Sequence, residues 1–273
     1  MKTNQELVKI FETAKYSLKT IKTYTQQVIY LQNLLGDLDN ITFSDIKNMV
    51  DSMRGSRPIR SIKLSVSALK TFYNLTRDLL AKEINLERLG IFVNETKKEY
   101  VSPERLEEII RTETPDYGNP LEVRDYTALL TFANTGAKLN GVCKLKFDDY
   151  HINAERPFIE LNTGQKSQRD VPIDNFFKVY LHCALPFWNE VLLQHGIKKP
   201  EFVFTSTYSK EPMHPRMMER ILSKYGVNAK EIRNSFLAKL QKNKTNTKLI
   251  ARLMGISEYN AQRPYNFIDR LGI

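Results

Sequence analysis

Arg124-Asp-Tyr-Thr-Ala-Leu-Leu-Thr-Phe-Ala-Asn-Thr-Gly136-Ala-Lys138-Leu-Asn-Gly-Val-Cys-Lys-Leu145 is the stretch on which the fold turns. It reads as the body of a long helix from Leu121 to Thr135, stopped by Gly136 as a glycine just past a helix commonly stops one. A second apolar helical stretch follows, and Cys143 within it is expected in the core. Upstream, Ser102-Pro-Glu-Arg-Leu-Glu-Glu carries the marks of a helix start: a capping serine, proline at the first position and acidic residues in the first turn. Downstream, the period changes between Phe147 and Ile173. Phe158-Ile-Glu-Leu161 and Arg169-Asp-Val-Pro-Ile173 flank the polar turn Asn162-Thr-Gly-Gln-Lys-Ser, which predicts a hairpin. Beyond it the pattern is helical to the last residue. Residues 100–273 are therefore expected to be mainly α with a small antiparallel β-sheet.

The first ninety residues are helical in pattern throughout. Leu18, Ile21, Tyr24, Val28, Leu31 and Leu35 recur at steps of three and four between Ser17 and Leu35, one apolar stripe closed by Gly36. A shorter helix follows, capped by Thr42 or Ser44, with Ile46, Met49, Val50 and Met53 on its inner face. Gly55-Ser-Arg-Pro58 interrupts, Pro58 suits the first turn of the next helix, and Ile62, Val66, Leu69, Phe72, Tyr73, Leu75 and Leu79 continue with helical spacing. This predicts a bundle of three or four helices over residues 1–95, with charged Lys97-Lys-Glu99 as a hinge to the second domain.

The chain has 273 residues, of which 41% are apolar and 26% charged, and its 41 Lys and Arg against 31 Asp and Glu leave a net charge of +10. That is core material enough for two domains and a balance that favours a polyanionic partner. No apolar run approaches the ~18 residues of a membrane span, and Met1-Lys-Thr-Asn-Gln-Glu is no secretory signal, so a cytoplasmic protein is expected. Cys143 and Cys183 are far apart, and His151, His182, His195 and His214 share no ligand spacing. Neither a disulfide framework, a metal site nor a cofactor is expected.

The cations are not spread evenly. Arg54, Arg57, Arg60 and Lys63 fall three apart, a spacing that can line one side of a helix. The last forty-eight residues hold nine Lys and Arg, among them Lys242, Lys244 and Lys248, against three Asp and Glu. Clusters of this kind supply the salt-sensitive, sequence-independent part of nucleic-acid binding. Two of them in two domains predict a clamp around double-stranded DNA. The bland reading, solvated helix faces, stands beside this one.

Four separated segments together resemble the tyrosine recombinases, the phage-integrase family. Arg124 to Leu145 resembles the helix, glycine turn and helix that open their catalytic domain. Asn162-Thr-Gly with Arg169-Asp-Val-Pro-Ile resembles their hairpin. Lys230-Glu-Ile-Arg233-Asn-Ser-Phe-Leu-Ala resembles the helix written H-x-L-R-H in most members. Leu253-Met-Gly255-Ile256-Ser, with Tyr265 ten residues past the glycine, resembles the terminal segment and its nucleophile. Ser17-Leu-Lys-Thr-Ile-Lys-Thr-Tyr and the run from Ile59 to Tyr73 resemble the SAM-like helical domain with which the family clamps DNA. The resemblance implies a helical DNA-clamping domain over residues 1–95 and a catalytic domain over residues 100–273. It also implies assembly into a higher oligomer on DNA.

The resemblance further implies site-specific breakage and rejoining of DNA through a phosphotyrosine, with no metal or cofactor. Residue by residue, Tyr265 stands at the nucleophile and Arg233 at the second arginine. Lys138 stands at the first arginine, Lys230 at the first histidine, and Lys166 is the hairpin lysine if Asn162 is not its counterpart. Asn234 and Ile256 stand where the family places histidine, or histidine or tryptophan. Lysine keeps the charge of the first arginine without its planar fork. The alternative is a catalytically inactive DNA-binding protein that retains the fold, architectural or regulatory in role. Tyr265 as a packing tyrosine and Lys138 as a turn residue are the corresponding structural readings. The eight residues after Tyr265 suggest a monomer free of DNA, placed at the nucleoid or in a host cytoplasm if the source is a virus or plasmid.

Overall fold

The structure is a computed structural model that describes residues 1–91, 98–162, 168–262 and 267–269. It divides into two compact units, Met1–Thr96 and Lys97–Ile273. The first is built from α1 (Asn4–Glu12), α2 (Leu18–Leu35), α3 (Phe43–Met53), α4 (Ile59–Thr76) and the single turn α5 (Leu80–Glu83). Two capping boxes start α1 and α3. The Thr3 hydroxyl accepts from the Glu6 amide while the Glu6 carboxylate accepts from the Thr3 amide, and Thr42 and Asp45 repeat the exchange. The core joins Leu7 and Phe11 of α1 to Val28 and Leu31 of α2, Ile46 and Val50 of α3, and Ile62, Leu69 and Phe72 of α4. The buried Tyr73 hydroxyl donates to the Leu38 carbonyl at 2.8 Å.

Three local expectations for this unit give way. Leu18 is 83% exposed and Leu79 is 73% exposed, so neither belongs to the buried stripes. Leu18 occupies the first turn of α2, beyond the edge of the bundle. Leu79 follows the end of α4, which stops at Thr76 because Arg77 turns left-handed at φ +58°. Pro58 is the residue before α4, in extended conformation (φ −57°, ψ 139°), rather than a member of its first turn.

The second unit runs β1 (Lys98–Tyr100), α6 (Pro103–Thr112), α7 (Pro120–Thr135), α8 (Leu139–Cys143), β2 (Tyr150–His151), β3 (Phe158–Asn162), β4 (Gln168–Pro172), α9 (Asn175–Gln194), α10 (Pro215–Lys224), α11 (Ala229–Lys242), α12 (Thr247–Met254), α13 (Glu258–Gln262) and β5 (Phe267–Asp269). Strands β2, β3 and β4 form an antiparallel sheet in which Leu161 pairs with Arg169 and Asn162 with Gln168. Strand β5 pairs in parallel with β1, Lys98 opposite Phe267. The expected helical pattern to the last residue is thus corrected. A three-residue strand is too short to show a period of two, and its partner lies at the other end of the unit.

Helix α7 is the strut of this unit, buried from Val123 to Phe132 on nearly every side and packed against α9 and α11. Its polar positions are satisfied from within. The hydroxyls of Thr127, Thr131 and Thr135 donate to the carbonyls four residues back, at 2.7, 2.8 and 2.6 Å. Cys143 is buried in the same core, and burial pushes its thiol up to about 11. Among the described residues no helix is long and apolar enough to cross a membrane, and no three His, Cys, Asp or Glu side chains gather as a metal site.

One buried carboxylate is paired with two cations. The Asp125 carboxylate is buried and receives Arg124 Nη2 at 2.6 Å and Lys224 Nζ at 2.6 Å. Removing the carboxylate would leave the Arg124 guanidinium, itself only 10% exposed, without its counter-charge. Asp125→Ala is expected to lower the unfolding free energy of the second unit by about 3–5 kcal/mol. Urea titration followed by the fluorescence of Trp188, the single tryptophan, measures it; a loss below about 1 kcal/mol would mean the pair behaves like a surface contact.

Candidate active site and nucleic-acid interface

The sequence-predicted positions are best located from Arg233 outward. Helix α11 is capped by Asn228, whose side-chain oxygen accepts from the amides of Lys230 (3.0 Å) and Glu231 (2.9 Å), while the Glu231 carboxylate accepts from the Asn228 amide at 3.1 Å. This box sets the helix phase, and Arg233 follows Lys230 by three residues, on the same side of the helix. Lys230 is exposed in the first turn, where the positive end of the helix dipole disfavours a cation.

Arg233 ties two helix ends together. Its Nη1 donates to the carbonyl of Gly136, the residue that ends α7, and its Nη2 donates to the carbonyl of Met254, the last residue of α12, at 2.6 Å. Both acceptors lie at the negative ends of helix dipoles, which favour a guanidinium. Gly136 and Gly255 cap these ends in the left-handed region, at φ +54° and +59°. Lys138 lies two residues past Gly136, exposed, just ahead of α8. Its carbonyl accepts from the Gly141 and Val142 amides at 2.8 and 3.1 Å, and its side chain makes no capping bond.

The remaining positions differ in character. Asn234 is buried. Ile256 packs against the small apolar cluster of Leu237, Ile250, Ala251 and Met254. The Asn162 amide donates to Glu160 Oε1 at 3.0 Å. Tyr265 and Lys166 lie outside the described residues. Arg233 is thus held at the turn leading to Lys138 and lies one helical turn past Lys230.

A residue that the sequence did not single out stands beside Arg233. Arg169, on β4, is 5% exposed and donates from Nη1 to the Leu253 carbonyl at 2.6 Å. Burial first and the neighbouring Arg233 charge second push its guanidinium down to about 10, still protonated at neutral pH. A signal was present: in Gln168-Arg-Asp-Val-Pro the alternation that buries Val171 also turns position 169 inward.

The two basic clusters are partly engaged within their own units. Arg54 Nη2 donates to the carbonyls of Leu89 (2.8 Å) and Gly90 (3.0 Å), and its Nη1 lies 3.5 Å from Asp51. Arg57 stacks over the Tyr30 ring with its guanidinium carbon 3.8 Å from the centroid. It precedes α4, so it does not share a helix face with Arg60 and Lys63, which are exposed on α4. Lys242 pairs with Glu104 at 2.7 Å and Lys239 with Glu107 at 3.3 Å, joining α11 to α6. The Glu104 carboxylate holds the Lys242 ammonium above its usual range. Lys244, left-handed at φ +54°, and Lys248 are exposed around the start of α12.

A mainly helical unit with a three-stranded sheet and a helix-end arginine site matches, over residues 99–269, the model of the phage integrase family. Residues 7–78 match the phage integrase N-terminal SAM-like domain. The chain belongs to the phage integrase family. It is similar to the tyrosine recombinase XerA of Pyrococcus furiosus, with 24% identity over 96% of this chain and 87% of that protein. It is also similar to the tyrosine recombinase XerC of Histophilus somni, with 22% identity over 89% and 82%. Among solved structures, its fold is similar to XerH recombinase in a post-cleavage complex with a palindromic difH substrate (TM-score 0.72, 17% identity, 95% of this chain and 80% of that one). The Tn1549 transposon integrase in complex with transposon right end DNA is comparable (0.70, 18%, 95% and 93%), as is a lambda integrase dimer bound to a core site (0.67, 17%, 97% and 93%).

The Gly136 turn yields a stability prediction. A Cβ there would meet Phe236 Cδ1 at 2.5 Å on a backbone already left-handed. Gly136→Ala is expected to cost about 2–4 kcal/mol, combining left-handed strain with the displacement of Phe236. The same urea titration reads it, and an unchanged midpoint would show the ring to be free to move aside.

Proposed function

We propose that this chain breaks and rejoins double-stranded DNA at specific sites through a covalent phosphotyrosine link. The observation that carries the reading is Arg233: a guanidinium that joins the ends of two helices, inside the segment that matches the phage integrase family. In this reading the Tyr265 hydroxyl attacks a backbone phosphorus, the 5′-oxygen of the broken strand departs and takes up a proton, and a 5′-hydroxyl reverses the step. Arg233 stabilises charge on the non-bridging oxygens as it builds. Lys138, Lys230 and Lys166 supply further positive charge, each as a point charge rather than a fork. No metal or cofactor enters the scheme.

Residues 1–95 serve as the helical clamp on the duplex and residues 100–273 as the catalytic domain, acting on DNA in the cytoplasm or at the nucleoid. The lambda integrase whose fold this chain resembles binds its core site as a dimer, which supports assembly of more than one copy on DNA. A second reading, DNA binding without strand cleavage, is favoured by Ile256, whose side chain offers no donor and packs in an apolar cluster.

A nicked suicide duplex from the chain's own attachment region separates the two. Denaturing gels are expected to show a covalent protein–DNA band that is absent in Tyr265→Phe and reduced by about 10²–10³ in rate in Arg233→Ala. A band that survives Tyr265→Phe rejects the nucleophile, and no band with salt-sensitive binding intact selects the second reading. In the same binding assay, Lys63→Ala and Lys248→Ala are each expected to lower the slope of log affinity against log salt by about one. Arg54→Ala, whose guanidinium holds the Leu89–Gly90 turn, should leave the slope unchanged and destabilise the first unit by about 1–2 kcal/mol. Equal slopes for all three would reject the assignment of the exposed lysines to phosphate contacts.

A further inference from the structure

The last turn of α12 is gripped twice. Leu253 presents its carbonyl to Arg169 Nη1 and Met254, the next residue, presents its own to Arg233 Nη2, both at 2.6 Å. The Arg169 donors Nε and Nη2 are sealed from solvent and have no acceptor among the described residues. Nη1 also lies so close to the following turn that a Cβ on Gly255 would stand 3.0 Å from it. An inward-facing position on β4, opposite Leu161, would ordinarily take an aliphatic residue. Instead it holds a buried cation with two unmatched donors, beside a second cation. Such an arrangement is a standing cost, and it needs a purpose other than packing.

We propose that Arg169 is a positioning residue: by holding the Leu253 carbonyl it fixes the last turn of α12, and through the adjacent Met254 carbonyl it sets the direction in which Arg233 presents its guanidinium to a DNA phosphate. The inference rests on the reading of Arg233 as a phosphate-binding group. Arg169 itself does not touch DNA, because its remaining donors face the interior. Its charge next to Arg233 also favours an incoming phosphate where a carboxylate would neutralise the site.

The test is the side-chain Nε–H spectrum of the full chain labelled with 15N-arginine, with the Arg233 signal assigned from Arg233→Lys. Spectra are taken with and without a nicked oligonucleotide duplex at low salt. Two variants are compared: Arg169→Met keeps length without charge or donor, and Arg169→Lys keeps charge and one donor for Leu253. Without DNA, the Arg233 signal is expected to move in Arg169→Met and to return part of the way in Arg169→Lys. With duplex, the wild-type Arg233 signal shifts, the Met variant loses that response, and the Lys variant recovers part of it. If Arg169→Met does not fold by Trp188 fluorescence, wild type against Arg169→Lys decides by the same criteria. An Arg233 signal that responds to duplex equally in wild type and variants overturns the positioning role alone. A wild-type Arg233 signal indifferent to duplex overturns the phosphate reading and this inference with it.

Discussion

The end of α7 at Gly136 is the constraint on which the second unit depends. The helix is buried nearly all round, so its direction is set by packing and cannot adjust to the site. Its end must reverse within one residue, with Phe236 of α11 pressed against the turn. Only a glycine meets both conditions. The same residue offers its carbonyl to Arg233 and starts the path to Lys138 two residues later. Packing, chain reversal and the placement of two candidate cations are therefore decided at one position.

The unit handles its cations in two distinct ways. Around Asp125, Arg124 and Lys224 close on a buried carboxylate, and the positive charge is spent inside the fold. Around the last turn of α12, Arg169 and Arg233 lean on neutral carbonyls. A helix C-terminus favours a cation by only about 0.3–1 kcal/mol, up to ~2 when partly buried. That is enough to orient a guanidinium. The first arrangement is a structural ion pair; the second fastens β4 and α11 to the end of α12.

Much of this was legible in the sequence, and the failures have physical causes. The stripes Ile21–Val28–Leu31 and Ile46–Val50–Met53, the hairpin, the Gly136 stop and the buried Cys143 all follow from periodicity and turn chemistry, because each is a local property. Leu18 and Leu79 break the pattern because burial also depends on where the neighbouring helices end, which no single segment encodes. Strand β5 escaped because its signal resides in β1, at the far end of the unit. Arg54 and Arg57 carry the charge of a nucleic-acid surface, yet one is held by a backbone turn and the other by a tyrosine ring, contacts made only on folding. Arg169 escaped for the opposite reason: the hairpin alternation pointed it inward, but an arginine is expected outside.

The parallel pairing of β1 with β5 also has a bearing on how the chain matures. Lys98 through Tyr100 leave the ribosome long before Phe267 through Asp269 exist. Until then β1 carries an unsatisfied strand edge. Helices α6 to α12 can collapse first on their local contacts, whereas this closure, joining the two most distant parts of the unit, has the largest loop entropy to overcome and comes last. A nascent or truncated chain would thus hold a formed core around α7 while β1 still lacks its partner strand.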